Sequence, residues 1–361
     1  MRSVIRALAL GSLIACCFAI AAPSAAGAAP TYSIKAIIPP GGLSSNAADI
    51  NPEGNVAGSE TTSKGNLGFL YYAKTGAYRV LQPPSGDSSD NVNGLNKGNH
   101  MAATGSSDVS VAQPFEAHVL KNKAAWVPVP TPGSTTPPFS TAQDINPHDS
   151  LAVNILQPQF LNRAAIATHR LHKKYVTHLE NLGSGFNISH ANAIDEDGRV
   201  AGWQGTQTDP TATVWTPQGK PILLDGSSAN DIAEGKQAGG SESGGTEWVT
   251  VVGAQGSEVE TPCAWHGRYV AGKLTFDPCS PLPATFGRAL GISPDGKLIV
   301  GQTPANGATL WIGSNAYDLN SLIPSGSGWR LISAVAVNSH GDIVGNGLLN
   351  GVSTGFLLTP G

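Results

Sequence analysis

Charged side chains are scarce: Lys, Arg, Asp and Glu make up 13% of the 361 residues, about half of the ~25% usual in soluble domains. Uncharged polar groups must therefore carry the surface. The basic residues are scattered, with no stripe of the kind that tracks a phosphate backbone, so nucleic acid is excluded as the expected partner. Cysteine is nearly absent, with four in all, and Cys16 and Cys17 fall in an N-terminal apolar stretch. That leaves Cys263 and Cys279 and no Cys-x-x-Cys pair, so neither a thiolate metal site nor a cofactor is expected. Gly-x-Ser-x-Gly, His-Glu-x-x-His and Walker-type loops are also missing. No catalytic residue can be nominated from local motifs.

Long uninterrupted helical segments are excluded by what is abundant, 44 glycines and 26 prolines, a composition suited to short strands and tight turns. The first residues, MRSVIRALALGSLIACCFAIAAPSAAGAAP, place Arg2 and Arg6 before an apolar run and then small residues. That is the layout of a secretory signal cleaved after Ala28. A lipoprotein site at Cys16 is the rival, but the residues after Cys16 stay apolar where such a chain turns polar. The expected mature protein, residues 29–361, has no transmembrane segment and is periplasmic or extracellular. Removing the signal takes two of the 21 basic residues and none of the 25 acids, so its net charge is 19 minus 25, or −6. An oxidising compartment makes a Cys263–Cys279 disulfide the expected state, closed across a hairpin turning at Val270–Gly272.

Seven copies of one pattern run along this segment: "DINPEGNVAG" from Asp49, "GLNKGNHMAATG" from Gly94, "DINPHDSLAV" from Asp144, "AIDEDGRVAG" from Ala193, "DIAEGKQAGG" from Asp231, "GISPDGKLIVG" from Gly291 and "AVNSHGDIVG" from Ala336. Each reads as a β-hairpin, with Asn, Asp or Ser bonding the backbone of the turn and Gly supplying positive φ. A third strand follows, as in "GFLYY" from Gly68, "ATVW" from Ala212 and "ATLW" from Ala308. A fourth follows that, as in "YRVLQP" from Tyr78 and "YDLNSLIP" from Tyr317. Trp215, Trp265 and Trp311 share one column and read as packing between units. Four-stranded units that bury their faces only against one another predict a seven-bladed β-propeller. The N-terminal "YSIKAIIP" matches "YDLNSLIP" in residue class, while the C-terminal unit stops after its third strand. The N-terminal strand is therefore expected to complete the last blade and close the ring.

These repeats are similar to those of the HAF family of predicted extracellular repeat proteins, whose units run from an Ile-Asn and Gly turn through "VVG" to an aromatic strand and "DLNSL". The resemblance covers about residues 31 to 361 and is tightest from Tyr317 to Gly361. It implies a propeller-like fold and export, with no activity attached. Gly355-Phe356-Leu357 stands where His-Ala-Phe is commonest, so no histidine role carries over.

With four-stranded blades, the turns between strands one and two and between three and four share one face, and these are short and regular. Connections from strand two to three and from blade to blade carry the irregular segments on the other face, where function is expected. Trp203, Trp248 and Phe160 are the nominated binding residues; Trp248 falls in the longest departure, Gly240 to Pro262. The expected function is a monomeric binding or scaffolding module for a glycan or a protein. The alternative is a polysaccharide hydrolase or lyase, for which Asp108, Glu116, Asp209, Glu242 and Glu247 are the available loop acids. Asp49, Asp144 and Asp231 recur on one strand face, as turn-bonding groups or as an acid ring around a channel. His169, His172 and His178 lie beside Arg170, Lys173 and Lys174, whose charge opposes a bound cation, so they read as an exposed polar edge.

Overall fold

The computed structural model describes residues 29–83, 89–106, 112–120, 123–129, 140–157, 161–170, 174–179, 188–236 and 247–361. The expected signal segment, Phe160, His172, Asp108 and Glu242 lie outside them. The chain adopts an all-β β-propeller fold of four-stranded antiparallel sheets, and among the described residues the strands make up seven of them. In chain order, sheet 1 holds Ser44–Ile50, Val56–Thr62, Gly65–Tyr72 and Ala77–Val80; sheet 2 holds Ser89–Leu95, Met101–Ser106, Ala112–Leu120 and Lys123–Pro128. Sheet 3 holds Ser140–Ile145, Leu151–Gln157, Leu161–Arg170 and Lys174–Leu179; sheet 4 holds Ile188–Ile194, Val200–Gly205, Pro210–Trp215 and Pro221–Leu223. Sheet 5 holds Ser228–Lys236, Glu247–Gln255, Thr261–Val270 and Lys273–Phe276, with the short Ser280–Pro281 beside its third strand. Sheet 6 holds Arg288–Ile292, Leu298–Thr303, Gly307–Ile312 and Asn315–Asp318. Sheet 7 holds Trp329–Val337, Ile343–Leu349 and Val352–Pro360. Its outer strand is Tyr32–Ile37, paired antiparallel from Tyr32 against Pro360 to Ile37 against Gly355. Among the described residues no helix is long and apolar enough to cross a membrane.

The apolar core is divided between sheets. Ile37, Ala47, Phe69 and Val344 bury the contact of sheets 7 and 1; Trp215 does so between sheets 3 and 4, Trp265 between 4 and 5, and Trp311 between 5 and 6. All three indoles are at most 1% exposed. A strand whose two faces are both covered needs small residues where neighbouring sheets approach most closely: a Cβ on Gly291 of sheet 6 would lie 2.5 Å from the Val335 carbonyl oxygen of sheet 7.

The hairpin turns have the expected chemistry. The Asn51 side-chain oxygen accepts from the Asn55 N–H at 3.0 Å, and Gly54 takes φ +78°; Asn99 supplies the same left-handed position at φ +60° in sheet 2, as asparagine can. The turn asparagines also reach the next sheet. Asn338 Nδ2 donates to the Asn51 carbonyl at 3.2 Å, Asn51 to Asn96 at 3.3 Å, Asn96 to Asn146 at 3.0 Å and Asn146 to Asp195 at 2.9 Å. One face of sheets 7, 1, 2, 3 and 4 is thus laced by side-chain amides.

Sheet 5 corrects the sequence reading at one point. Its first strand runs through "DIAEGK" to Lys236, and the second begins at Glu247. Ala233 stands where other units carry Asn, Asp or Ser, so nothing bonds the backbone into a reversal and the strand continues. Trp248 is therefore the second residue of the second strand, paired with Gly235 of the first, at the end where strands one and two are joined. Trp248 lies on the face opposite to the one expected.

Cys263 and Cys279 form the disulfide, with Cα atoms 5.8 Å apart and the turn at Ala271 and Gly272 in positive φ. Cys263 pairs in register with Pro281, so the bridge is diagonal and not directly across the hairpin. It ties the exit from the fourth strand to the buried third. Asp225 reinforces this corner by accepting from the Trp265 Nε1–H at 2.7 Å and from the Cys279 N–H at 2.9 Å. Replacing both cysteines by serine is expected to lower stability by about 3 kcal/mol, the chain-entropy value for a loop of this length. Urea unfolding of the double variant checks this, and an unchanged midpoint would refute it.

Candidate functional site

Every first strand carries a bulge, for example between Ala47 and Asp49, two residues before the turn at Asn51, and between Ala229 and Asp231 in the longer first strand of sheet 5. The bulge re-aims the next side chain along the strand end toward the following sheet. At that position the sequence reads Asp49, Gly94, Asp144, Ala193, Asp231, Gly291 and Ala336. Each aspartate staples two sheets: one oxygen accepts from its own next N–H, and the other from the following sheet. Those outer bonds are Leu95 N to Asp49 at 2.7 Å, Ile194 N to Asp144 at 2.9 Å and Ile292 N to Asp231 at 2.8 Å. Burial pushes all three carboxyls above the ordinary carboxylate range, Asp231 up to about 7. For Asp49, the Asp144 and Asp231 charges add to burial in the same direction. Their oxygens are engaged by backbone N–H groups, and among the described residues no group of three His, Cys, Asp or Glu is arranged to hold a metal ion.

Toward the irregular face, one position of the second strand links neighbouring sheets in sheets 1, 2, 3 and 7. Ser59 accepts from Val92 N at 3.0 Å and Thr104 from Ala142 N at 3.3 Å. Asn154 clamps both the N–H of Ala191, at 2.8 Å, and its C=O, at 3.0 Å, while Asn346 does the same to Ala47 at 2.9 and 3.2 Å. In sheets 4, 5 and 6 the equivalent residues are Trp203, Ala254 and Gln302, and among the described residues none of them bonds the following sheet. Two cavities open on this face where the clamps are missing.

The first, of about 400 Å³, is lined by Trp203, His190, Gln207, Asn230, Glu260 and Arg288, among others. Trp203 and His190 are directly paired across strands one and two of sheet 4. Their rings are parallel within 1°, with centroids 6.0 Å apart. Asn192 Nδ2 donates to the Ala229 carbonyl at 2.8 Å, which leaves its Oδ1 to accept from His190 Nδ1 at 3.0 Å. The ring's other nitrogen faces the Asn154 amide at 3.2 Å. Burial lowers the His190 pKa, so the imidazole is neutral at pH 7, with its tautomer fixed by the two amides. Glu260 and Arg288 pair at the cavity wall, the guanidinium half-exposed. An aromatic face edged by amides, a carboxylate and a guanidinium offers both an apolar platform and hydroxyl-bonding groups.

Of the nominated residues, the structure places Trp203 at this cavity, and Phe160 lies outside the described residues. Trp248 instead packs over two backbones on the other face: a Cβ on Gly235 would lie 2.4 Å from its ring, and one on Gly296 2.9 Å. It wedges sheet 5 against the first turn of sheet 6. Among the nominated acids, Asp209 sits in the exposed loop before Pro210, Glu116 is within a strand of sheet 2, and Glu247 opens the second strand of sheet 5 on the Trp248 face. Glu258 and Glu260, on the Gly256–Glu260 loop, were not nominated. The signal that points to this cavity is the break in the second-strand column, where "VAGW" replaces "VAGS" and "IVGN". His169 and His178 stand on neighbouring strands, where their registers are Tyr175 and Ile166.

No family model and no curated protein matches the chain. Among solved structures it is similar to a chain in the crystal structure of the mitotic checkpoint complex, 14% identical, covering 96% of this chain and 98% of that one at a TM-score of 0.50. It is also similar to the β-propeller domain of Cps50 (Swd1) from Myceliophteria thermophila, 9% identical, covering 90% and 99% at a TM-score of 0.54. At these identities the likeness shows the propeller fold.

Proposed function

We propose that the chain is an exported, seven-bladed β-propeller of the HAF-repeat kind, its ring closed by Tyr32–Ile37, that binds a glycan in the cavity at Trp203. Export rests on the signal-like segment before residue 29. Closure is supported by the pairing of Tyr32–Ile37 with the last strand and by the first strand of sheet 1 packing against sheet 7. The observation that carries the ligand reading is the exchange of an inter-sheet clamp for a half-buried tryptophan. A position used for hydrogen bonding at Ser59, Thr104, Asn154 and Asn346 presents an aromatic face to an open cavity edged by Asn230, Gln207 and the Glu260–Arg288 pair. Sugar rings offer the complement, an apolar C–H face with hydroxyls around its rim. Trp203→Ala is expected to weaken glycan binding about tenfold or more while the fold persists, measured by calorimetry on hits from a glycan screen. Trp248→Ala is the contrasting variant, losing stability and keeping affinity. Equal affinity for Trp203→Ala and the parent would sink the assignment, and turnover of a bound oligosaccharide would make the protein an enzyme.

A further inference from the structure

The cavity at Trp203 does not end at the ion pair, because Glu260 and Arg288 also line a second cavity of about 790 Å³ over sheets 5 to 7. Val259, Phe286 and Ile332 line this second cavity. They are 55%, 49% and 43% exposed, three of the eight exposed large apolar side chains among the described residues gathered at one place. Single exposed apolar residues need no explanation, whereas a grouped patch beside a cavity marks a contact surface. Arg330 lines the same cavity and is exposed. Its guanidinium has no carboxylate partner among the described residues, unlike Arg288, which Glu260 neutralises. Glu258 also lines the cavity, but no ion pair joins it to Arg330 among the described residues, so an exposed guanidinium beside an apolar floor can still meet a carboxylate carried on a partly apolar ring.

We propose that the second cavity holds a uronate residue of the same glycan, with its ring against Phe286 and Ile332 and its carboxylate on Arg330. This rests on the glycan reading of the Trp203 cavity and adds the ligand's class: an acidic polysaccharide lying across the Glu260–Arg288 pair. The protein's acidic net charge gives no long-range attraction for a polyanion. Recognition is therefore local, through one guanidinium, and only mildly salt-dependent.

The test is calorimetric titration of the mature protein with oligogalacturonates, their methyl esters and neutral oligogalactans, using the parent, Arg330→Gln and Trp203→Ala. The acid form is expected to bind about tenfold more tightly than its methyl ester, a charge-assisted contact's worth. Arg330→Gln is expected to erase that preference and leave ester affinity unchanged, whereas Trp203→Ala weakens acid and ester alike. The ester comparison needs no variant, so a misfolded Arg330→Gln protein leaves the test standing. Equal binding of acid, ester and neutral sugars overturns the uronate site and leaves the glycan reading intact. Acid preference that survives in a folded Arg330→Gln protein overturns the assignment to this cavity, and failure of every sugar to bind overturns both readings.

Discussion

Arg199→Leu is expected to cost about 3–5 kcal/mol, because it strands buried carboxylates. The guanidinium is 3% exposed and joins Asp195 at 2.6 Å, Asp197 at 3.0 Å and Glu234 of the next sheet, and it also donates to the Tyr269 hydroxyl at 2.9 Å. Asp195 and Glu234 are 1% and 14% exposed, so neither recovers its charge solvation in water when the cation goes. Burial pushes the Asp195 carboxyl up to about 6 even against the opposing pull of Arg199. The pair therefore stays ionised at pH 7 with little in reserve. The whole set is a local substitute. Asp195 stands where Asn51, Asn96, Asn146 and Asn338 stand in other units, but a carboxylate cannot donate to the next sheet, and Arg199 crosses that gap to Glu234. Chemical denaturation checks the value, and a loss below about 1 kcal/mol would contradict it. Replacing Arg199, Asp195 and Glu234 together by neutral residues should cost less than Arg199→Leu alone, since no charge is then left buried.

Stability is expected to fall as pH rises from 5 to 8, contrary to the usual carboxylate behaviour. Asp231 ionises at about 7 in the folded protein, and Asp49 and Asp144 are also displaced upward. A carboxyl whose folded pKa exceeds its unfolded value binds its proton more tightly when folded. Its contribution is complete below the unfolded pKa, near 4, and is lost as pH rises through the folded one. The window is thus roughly pH 4 to 7, and a displacement of this size is worth a few kcal/mol. Asp195 acts in the same direction. Melting temperatures across that range should decline toward neutrality, and Asp231→Asn should remove much of the slope. A melting temperature that climbs from pH 5 to 8 would refute the assignment.

The strands were legible because their signals are local. Asn51 and Gly54 lie within one turn, and the spare Tyr32–Ile37 strand could be matched to Tyr317 by eye. The column of Trp215, Trp265 and Trp311 likewise follows from period alone. What the sequence does not print are relations about 50 residues apart, such as Asn96 donating to Asn146, because the same residue type serves equally for a turn. The first-strand bulges leave no composition signal, so the reach of Asp49 to Leu95 was hidden. In sheet 5, matching "DIAEGK" to its neighbours forced a turn where Ala233 has no group to make one, which moved Trp248 to the wrong face. Within the cavity, Trp203 stood out as a tryptophan, but Glu260 and Arg288 look like ordinary loop charges until two sheets bring them together.

The alternation of Asp49, Asp144 and Asp231 with Gly94, Ala193 and Gly291 sets a rule of parity for the repeats. An acid in one unit reaches over a small residue in the next, so the smallest self-consistent block is two units. Ala336 is the remainder left when such blocks run along an odd number. Losing a single unit between Asp49 and Asp144 would set two buried carboxylates side by side, a like-charge contact that neither can relieve while ionised. Losing the Gly94 and Asp144 units together would keep every acid facing a small neighbour. Repeat loss in chains built this way should therefore spare the small-residue units that separate two acids, here those of Gly94 and Ala193.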